Sequence, residues 1–160
     1  MMDNVLGMIN LMNEQSELST LTRNRCVAAV PFGGQYRLID FALSNMSNSG
    51  IQKVFVLASP KSDSLLAHVG DGVHWGLTGA EGGVSVLAPE PARIVQQGDL
   101  DHLYSHLERL KSCTEKYVLL APSHVIYRMI FGKMLDYHRS SGADITLLYQ
   151  HVAEINHHAH

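Results

Sequence analysis

Side chains suited to chemistry fall in four short stretches of this chain. Arg23 and Arg25 stand close together, Arg37 and Asp40 lie three apart, Gly98, Asp99, Asp101 and His102 cluster past the middle, and Ser123 and His124 follow an apolar run. Neighbouring arginines suit an anionic group, and closely set carboxylates suit a hard metal ion. Each stretch also has a purely structural reading. Arg37 and Asp40 on the first turn of a helix pair with each other or answer the helix dipole. Asp99, just ahead of Leu100, Leu103, Tyr104, Leu107 and Leu110, reads as a helix cap. Arginines are commonly solvated at a surface. His157, His158 and His160 crowd the end of the sequence, where a tract without an ordered set of ligands binds metal only adventitiously, and no metal site is assigned to them.

The elements that must hold these residues follow from hydrophobic spacing. Residues 28–51 begin apolar, break at Pro31, turn through Gly33 and Gly34, and resume with Leu38, Ile39, Ala42, Leu43 and Met46 at helical spacing until Gly50. Short apolar runs at 4–9, 53–58, 84–88, 117–122 and 144–149 read as strands. Between them, 62–69 reads as a helix capped by Ser62 with Leu65, Leu66 and Val69 inward. The stretch from Asp99 reads as one helix, and 130–139 as a last one with Ile130, Phe131, Met134, Leu135 and His138 on its inner side. Residues 10–21 are a polar loop without glycine, 70–83 are glycine-rich, and Trp75 there is expected to plug the core. About five or six strands alternating with three or four helices predict an α/β fold, an open, mainly parallel, Rossmann-like sheet. In such a sheet functional groups gather beyond the carboxyl ends of the strands, where Ser123 and His124 stand.

A chain of 160 residues forms one ordinary domain and buries about 70% of its unfolded surface without a metal or disulfide. A formal charge of −3 argues against nucleic acid as a partner. No apolar run approaches the roughly 20 residues that span a bilayer. Cys26 and Cys113 are far apart, and the start carries no basic-then-apolar leader, so the cytoplasm is the expected compartment.

Pro31, Phe32, Gly33, Gly34, Tyr36, Arg37, Leu38, Ile39, Asp40, Phe41, Leu43, Ser44 and Asn45, followed by Asn48, Ser49, Gly50 and Ile51, form a long signature. It resembles the sugar-phosphate nucleotidylyltransferases, and among them the glucose-1-phosphate adenylyltransferase branch. The weaker similarity runs from about Leu6 to Gln150. It implies a single, partial nucleotidylyltransferase-like domain over 1–160, ending before the sugar-phosphate-binding half and the left-handed β-helix domain of the family, as in a fragment or a truncated gene product.

The resemblance also shows where this sequence departs from the family. The family's glycine-rich phosphate loop falls within 10–21, where glycine is absent and Glu14 and Glu17 stand instead. Such a loop needs bare backbone amides and positive-φ turns. Val27 takes the place of a lysine and Ala28 of a proline, Ser59 takes that of the adenine-reading glutamine, and Ser123 that of the magnesium-holding aspartate. Gly98, Asp101 and His124 are remnants of the nucleotide pocket. Together these imply a regulatory, catalytically degenerate subunit in bacterial glycogen synthesis, without catalytic residues, metal site or cofactor of its own. Its partner would be a catalytic glucose-1-phosphate adenylyltransferase subunit or itself. Two alternatives stay open. One is a divergent active transferase using ATP and Mg²⁺, with Asp99, Asp101 or His124 as ligands and Arg23 or Arg25 as cation. The other is a non-catalytic module binding a partner or an effector anion through Arg23, Arg25, Arg37 and Lys53.

Overall fold

The computed structural model describes residues 2, 4–11, 20–59, 61–78, 82–88 and 99–150, the side chains of 99 and 100 excepted. Along the chain come strand β1 (Val5–Asn10), the two-residue strands β2 (Pro31–Phe32) and β3 (Tyr36–Arg37), and helix α1 (Leu38–Asn48). They are followed by β4 (Lys53–Leu57), α2 (Asp63–Val69), β5 (Gly83–Leu87), α3 (Asp99–Ser105), α4 (Leu107–Lys111), β6 (Tyr117–Pro122) and α5 (Gly132–Ser141). The strands β5, β4, β1 and β6 lie side by side in that order, all parallel, and β2 and β3 make a separate antiparallel hairpin. The fold is the mainly parallel, Rossmann-like α/β sheet expected.

The continuous apolar runs of β1 and β4 follow from their place in the middle of the sheet, where both faces are covered. On one face Val5, Ile9, Val54 and Val56 pack against Ile39, Ala42, Leu43 and Met46 of α1, with Leu65 and Val69 of α2 and Leu135 of α5. On the other, Leu6, Met8, Phe55 and Leu57 meet Leu103 of α3 and Leu110 of α4. Gly7 lets α1 sit close to the sheet: a Cβ there would stand 2.7 Å from Met46 Sδ and 3.1 Å from Val54 Cγ2. Trp75 packs against the first of these clusters, the plug expected of it.

Four expectations need correction. Residues 144–149 form no strand; Ile145, Leu147, Leu148 and Tyr149 are exposed, and an apolar run becomes a strand only beside a neighbour that takes up its backbone hydrogen bonds. The helix from Asp99 is broken at His106 (φ −105°, ψ 19°) into α3 and α4, and Tyr104 of α3 is exposed. The last helix starts at Gly132, leaving Ile130 exposed outside it, while Phe131 and Leu135 face the core as expected. Ser62 does not cap α2 with its side chain; its Oγ instead accepts the Ser59 N–H at 2.8 Å, closing the turn beyond β4.

Candidate functional site

Parallel strands present their carboxyl ends along one rim of the sheet. At this rim β1 ends in Asn10, which lies in register with Leu57 of β4 and Pro122 of β6. Ser59 follows β4, and Ser123 and His124 follow β6. Asn10 and Ser123 are buried, whereas His124 is exposed. The Ser59 hydroxyl lies 3.0 Å from that of Ser62, within the same turn. Val27 and Ala28 sit in a short 3₁₀ turn, and Val27 is buried with Val30 and Leu38 in a small apolar cluster. Asp101, in the first turn of α3, is exposed, and His102 beside it is buried. Gly98 lies outside the described residues, as do the glycine-free loop positions Glu14 and Glu17 and the C-terminal histidines. The same holds for the side chain of Asp99.

The basic residues divide between the two ends of the sheet. Arg37 immediately precedes α1 and so stands at its start, near the carboxyl rim, and its guanidinium donates to the Ser64 carbonyl of α2. Arg23 and Arg25 are exposed in the segment leading to Cys26. That segment is held to the start of α2 by the Cys26 N–H on the Lys61 carbonyl (3.2 Å) and by Lys61 Nζ on the Thr22 carbonyl (3.5 Å). Lys61, which the sequence reading passed over, therefore accompanies the three arginines. Lys53 does not: it opens β4, about 16 Å away along an 11-residue helix, and pairs with Glu115 at 3.4 Å.

The signature stretch is a frame. Gly33 and Gly34 adopt φ of 61° and 97°, the left-handed region that a side chain resists, and so turn the β2–β3 hairpin. The exposed rings of Phe32 and Tyr36 on that hairpin lean on Phe41, with centroids 5.6 and 6.4 Å away. Asp40 does not pair with the Arg37 guanidinium. Its buried carboxylate accepts the Arg37 backbone N–H at 2.9 Å, capping α1, and meets His68 Nε2 of α2 at 2.8 Å. His68 in turn stands edge-on to Trp75, 5.9 Å between centroids.

Further along α1, Asn45 and Ser49 fasten the segment that follows His124. The Asn45 amide donates to the Tyr127 carbonyl (2.8 Å) and its oxygen accepts the Met129 N–H (3.1 Å). Ser49 Oγ accepts the Phe131 N–H at 2.9 Å and donates to the Asn45 carbonyl at 2.7 Å. Ser44 is half-buried on the same helix. The Tyr127 hydroxyl is enclosed without a hydrogen-bond partner among the described residues. Burial raises its pKa above the ordinary 10.

The described residues that end β1, β4 and β6 offer no carboxylate to the magnesium ion that the resemblance brings with it, although Asp101 lies exposed in α3. Hard dications take carboxylate oxygens, and Asn10, Ser59 and Ser123 are neutral. Among the described residues no three His, Cys, Asp or Glu side chains stand close enough to hold a metal ion. Nor is any described helix long and apolar enough to cross a membrane.

His68, Ser64, Lys61 and Tyr127 escaped the sequence reading because their partners lie between 27 and 82 positions away. Local spacing carries no trace of contacts at that separation.

Comparison with known proteins bears on what this frame is. The sequence profile of a family described as Nucleotidyl transferase matches residues 15–159. A glucose-1-phosphate adenylyltransferase of Clostridium botulinum (strain Eklund 17B / Type B) is 40% identical over 146 residues, 89% of this chain and 38% of the relative. Enzymes of the same name from Bacillus subtilis (strain 168) and Bacillus licheniformis are 43% and 39% identical, over 82% and 92% of the chain and 36% and 40% of their own lengths. The chain thus spans about two fifths of the relatives it matches. With its parallel sheet, its signature frame and a match over nearly its whole length, the chain belongs to the nucleotidyl transferase family.

Proposed function

We propose that this chain is a regulatory, catalytically degenerate partner of a glucose-1-phosphate adenylyltransferase, the enzyme that joins ATP and glucose 1-phosphate into ADP-glucose and diphosphate in glycogen synthesis. The observation that carries the reading is the neutral rim. Adenylyl transfer needs the nucleotide phosphates held in line and the developing charge spread over metal and cations. Asn10, Ser59 and Ser123 stand at the strand ends where such groups would act, and Val27 is sealed in an apolar cluster. Losing one such electrostatic contact costs roughly a hundred- to a thousandfold in rate, and this chain lacks several.

The partner is then a catalytic subunit in the cytoplasm. The same arrangement gives the complex an anion-responsive face: Arg23, Arg25 and Arg37, with Lys61 in place of Lys53, favour an effector that is a small phosphorylated metabolite.

The test is to mix the purified chain with a catalytic glucose-1-phosphate adenylyltransferase from the same organism and follow diphosphate release with ATP, Mg²⁺ and glucose 1-phosphate. The chain alone stays at blank, and the mixture shifts in rate or in effector response. Turnover by the chain alone refutes the degenerate reading. No association and no change in the mixture refutes the regulatory one.

A further inference from the structure

We infer, resting on the anion-responsive face proposed above, that His68 is a positioning residue for that face and acts on it through Arg37. Arg37 is held at two points: its backbone N–H donates to the Asp40 carboxylate at 2.9 Å, and its guanidinium donates to the Ser64 carbonyl. Both points depend on α2. Ser64 belongs to that helix, and the carboxylate that holds the Arg37 N–H is itself held by His68 Nε2 at 2.8 Å. Ser64 and His68 stand four apart, about one turn, so they lie on one face of α2. That turn therefore clasps the start of α1 twice, once at Arg37 and once at Asp40.

The chemistry of the clasp follows from its members. A carboxylate only accepts hydrogen bonds, so Nε2 carries the hydrogen and donates to Asp40. Asp40 is buried, and the His68 ring stands edge-on to Trp75, whose carbonyl accepts the Ser47 hydroxyl of α1. The imidazole is thus set between α1 and the turn after α2. A guanidinium carries five N–H donors in a rigid fork, so one bond to a carbonyl steadies Arg37 and leaves the fork able to take an anion. Lys61 is held less closely, its Nζ 3.5 Å from the Thr22 carbonyl. A long side chain steadied before binding loses less freedom when the anion arrives, an advantage of about two- to tenfold in affinity for one such group.

The probe is inorganic phosphate, titrated into the intact chain by calorimetry at fixed pH and constant ionic strength. His68→Phe keeps an aromatic ring against Trp75 and removes the donor to Asp40. It is expected to weaken phosphate binding about two- to tenfold, to do so equally in an Arg25→Ala background, and to have no further effect once Arg37 is alanine. A merely loosened fold would weaken all three alike. The converse measurement needs no substitution: coupling is reciprocal, so phosphate slows hydrogen exchange at the Arg37 amide, the group that Asp40 holds. Phosphate binding that is absent, or indifferent to Arg37→Ala, refutes the anion face and the role of His68 with it. Binding that depends on Arg37 but not on His68, an effect of His68→Phe that persists without Arg37, or unchanged exchange at the Arg37 amide overturns the role of His68 alone.

Discussion

Replacing Asp40 by alanine isolates what the signature stretch contributes to stability. The buried carboxylate makes two hydrogen bonds, to the Arg37 N–H at 2.9 Å and to His68 Nε2 at 2.8 Å. The first is a helix cap worth about 1 kcal/mol, and a carboxylate in the first turn adds roughly 0.5 kcal/mol through the dipole of α1. The second, joining α1 to α2, contributes about 1 kcal/mol net. The substitution should therefore cost about 2–3 kcal/mol, read as a lower urea midpoint with unchanged slope and as a fall of about 5–10 °C in Tm for a chain of this size. Asp40→Asn keeps an oxygen acceptor and should lose about half as much. A double-mutant cycle with His68→Gln should give a coupling near 1 kcal/mol. Arg37→Ala, by contrast, removes only the bond to the Ser64 carbonyl and should cost under about 1 kcal/mol. A loss below about 0.5 kcal/mol for Asp40→Ala, or strict additivity with His68→Gln, refutes this account of the frame.

Three further substitutions test other parts of the structure. Gly7→Val places a branched side chain where Met46 and Val54 already stand, and overpacking of this kind should cost about 1–3 kcal/mol in urea unfolding. Tyr127→Phe removes an enclosed hydroxyl without a partner and should leave neutral-pH stability unchanged or up to about 1 kcal/mol higher. Because the native phenol pKa is raised, the unfolded chain loses its proton first; the wild type should therefore lose stability as pH rises past about 10, and the variant should lose less in unfolding curves taken across that window. Ser123→Asp, at a buried position, should cost about 1–3 kcal/mol by enclosing a poorly solvated group, without diphosphate release and without recovery in millimolar Mg²⁺; recovery of stability by Mg²⁺ would reveal a competent metal site.

The sheet was legible where burial alone decides. The runs at β1 and β4 are apolar throughout because helices cover both faces, and α1 announced itself through its three-and-four spacing. Residues 144–149 carry the same signal and do not form a strand, because a strand is a relation between two segments and the sequence of one says nothing of the other. The stretch from Asp99 read as one helix because the break at His106 has no glycine or proline to mark it. For the site, Ser123 could be placed at the rim because it follows β6 directly. Lys53 was grouped with the arginines although strand direction already separates them: a residue that opens a parallel strand stands at the end opposite to one that opens the helix before it. The contact between Asp40 and His68 had no such cue, being set by how α1 and α2 pack.

The frame and the chemistry of this fold are separable, and the separation explains why so long a signature accompanies a neutral rim. Asp40 caps α1 and holds α2. Asn45 and Ser49 fix residues 127–131, the segment leaving β6, and Gly33 and Gly34 turn the hairpin. Each of these contacts is between parts of the protein itself, and each fixes where the strand ends lie. On the function proposed above, the charges that act at those ends would belong at other positions, where this chain has Val27, Ser59 and Ser123. The bonds named here as the frame are made by Asp40, Asn45 and Ser49 and not by the side chains of Val27, Ser59 or Ser123. On that reading, the frame would keep the shape that a subunit presents to its partner while the rim gave up the groups that hold a magnesium nucleotide.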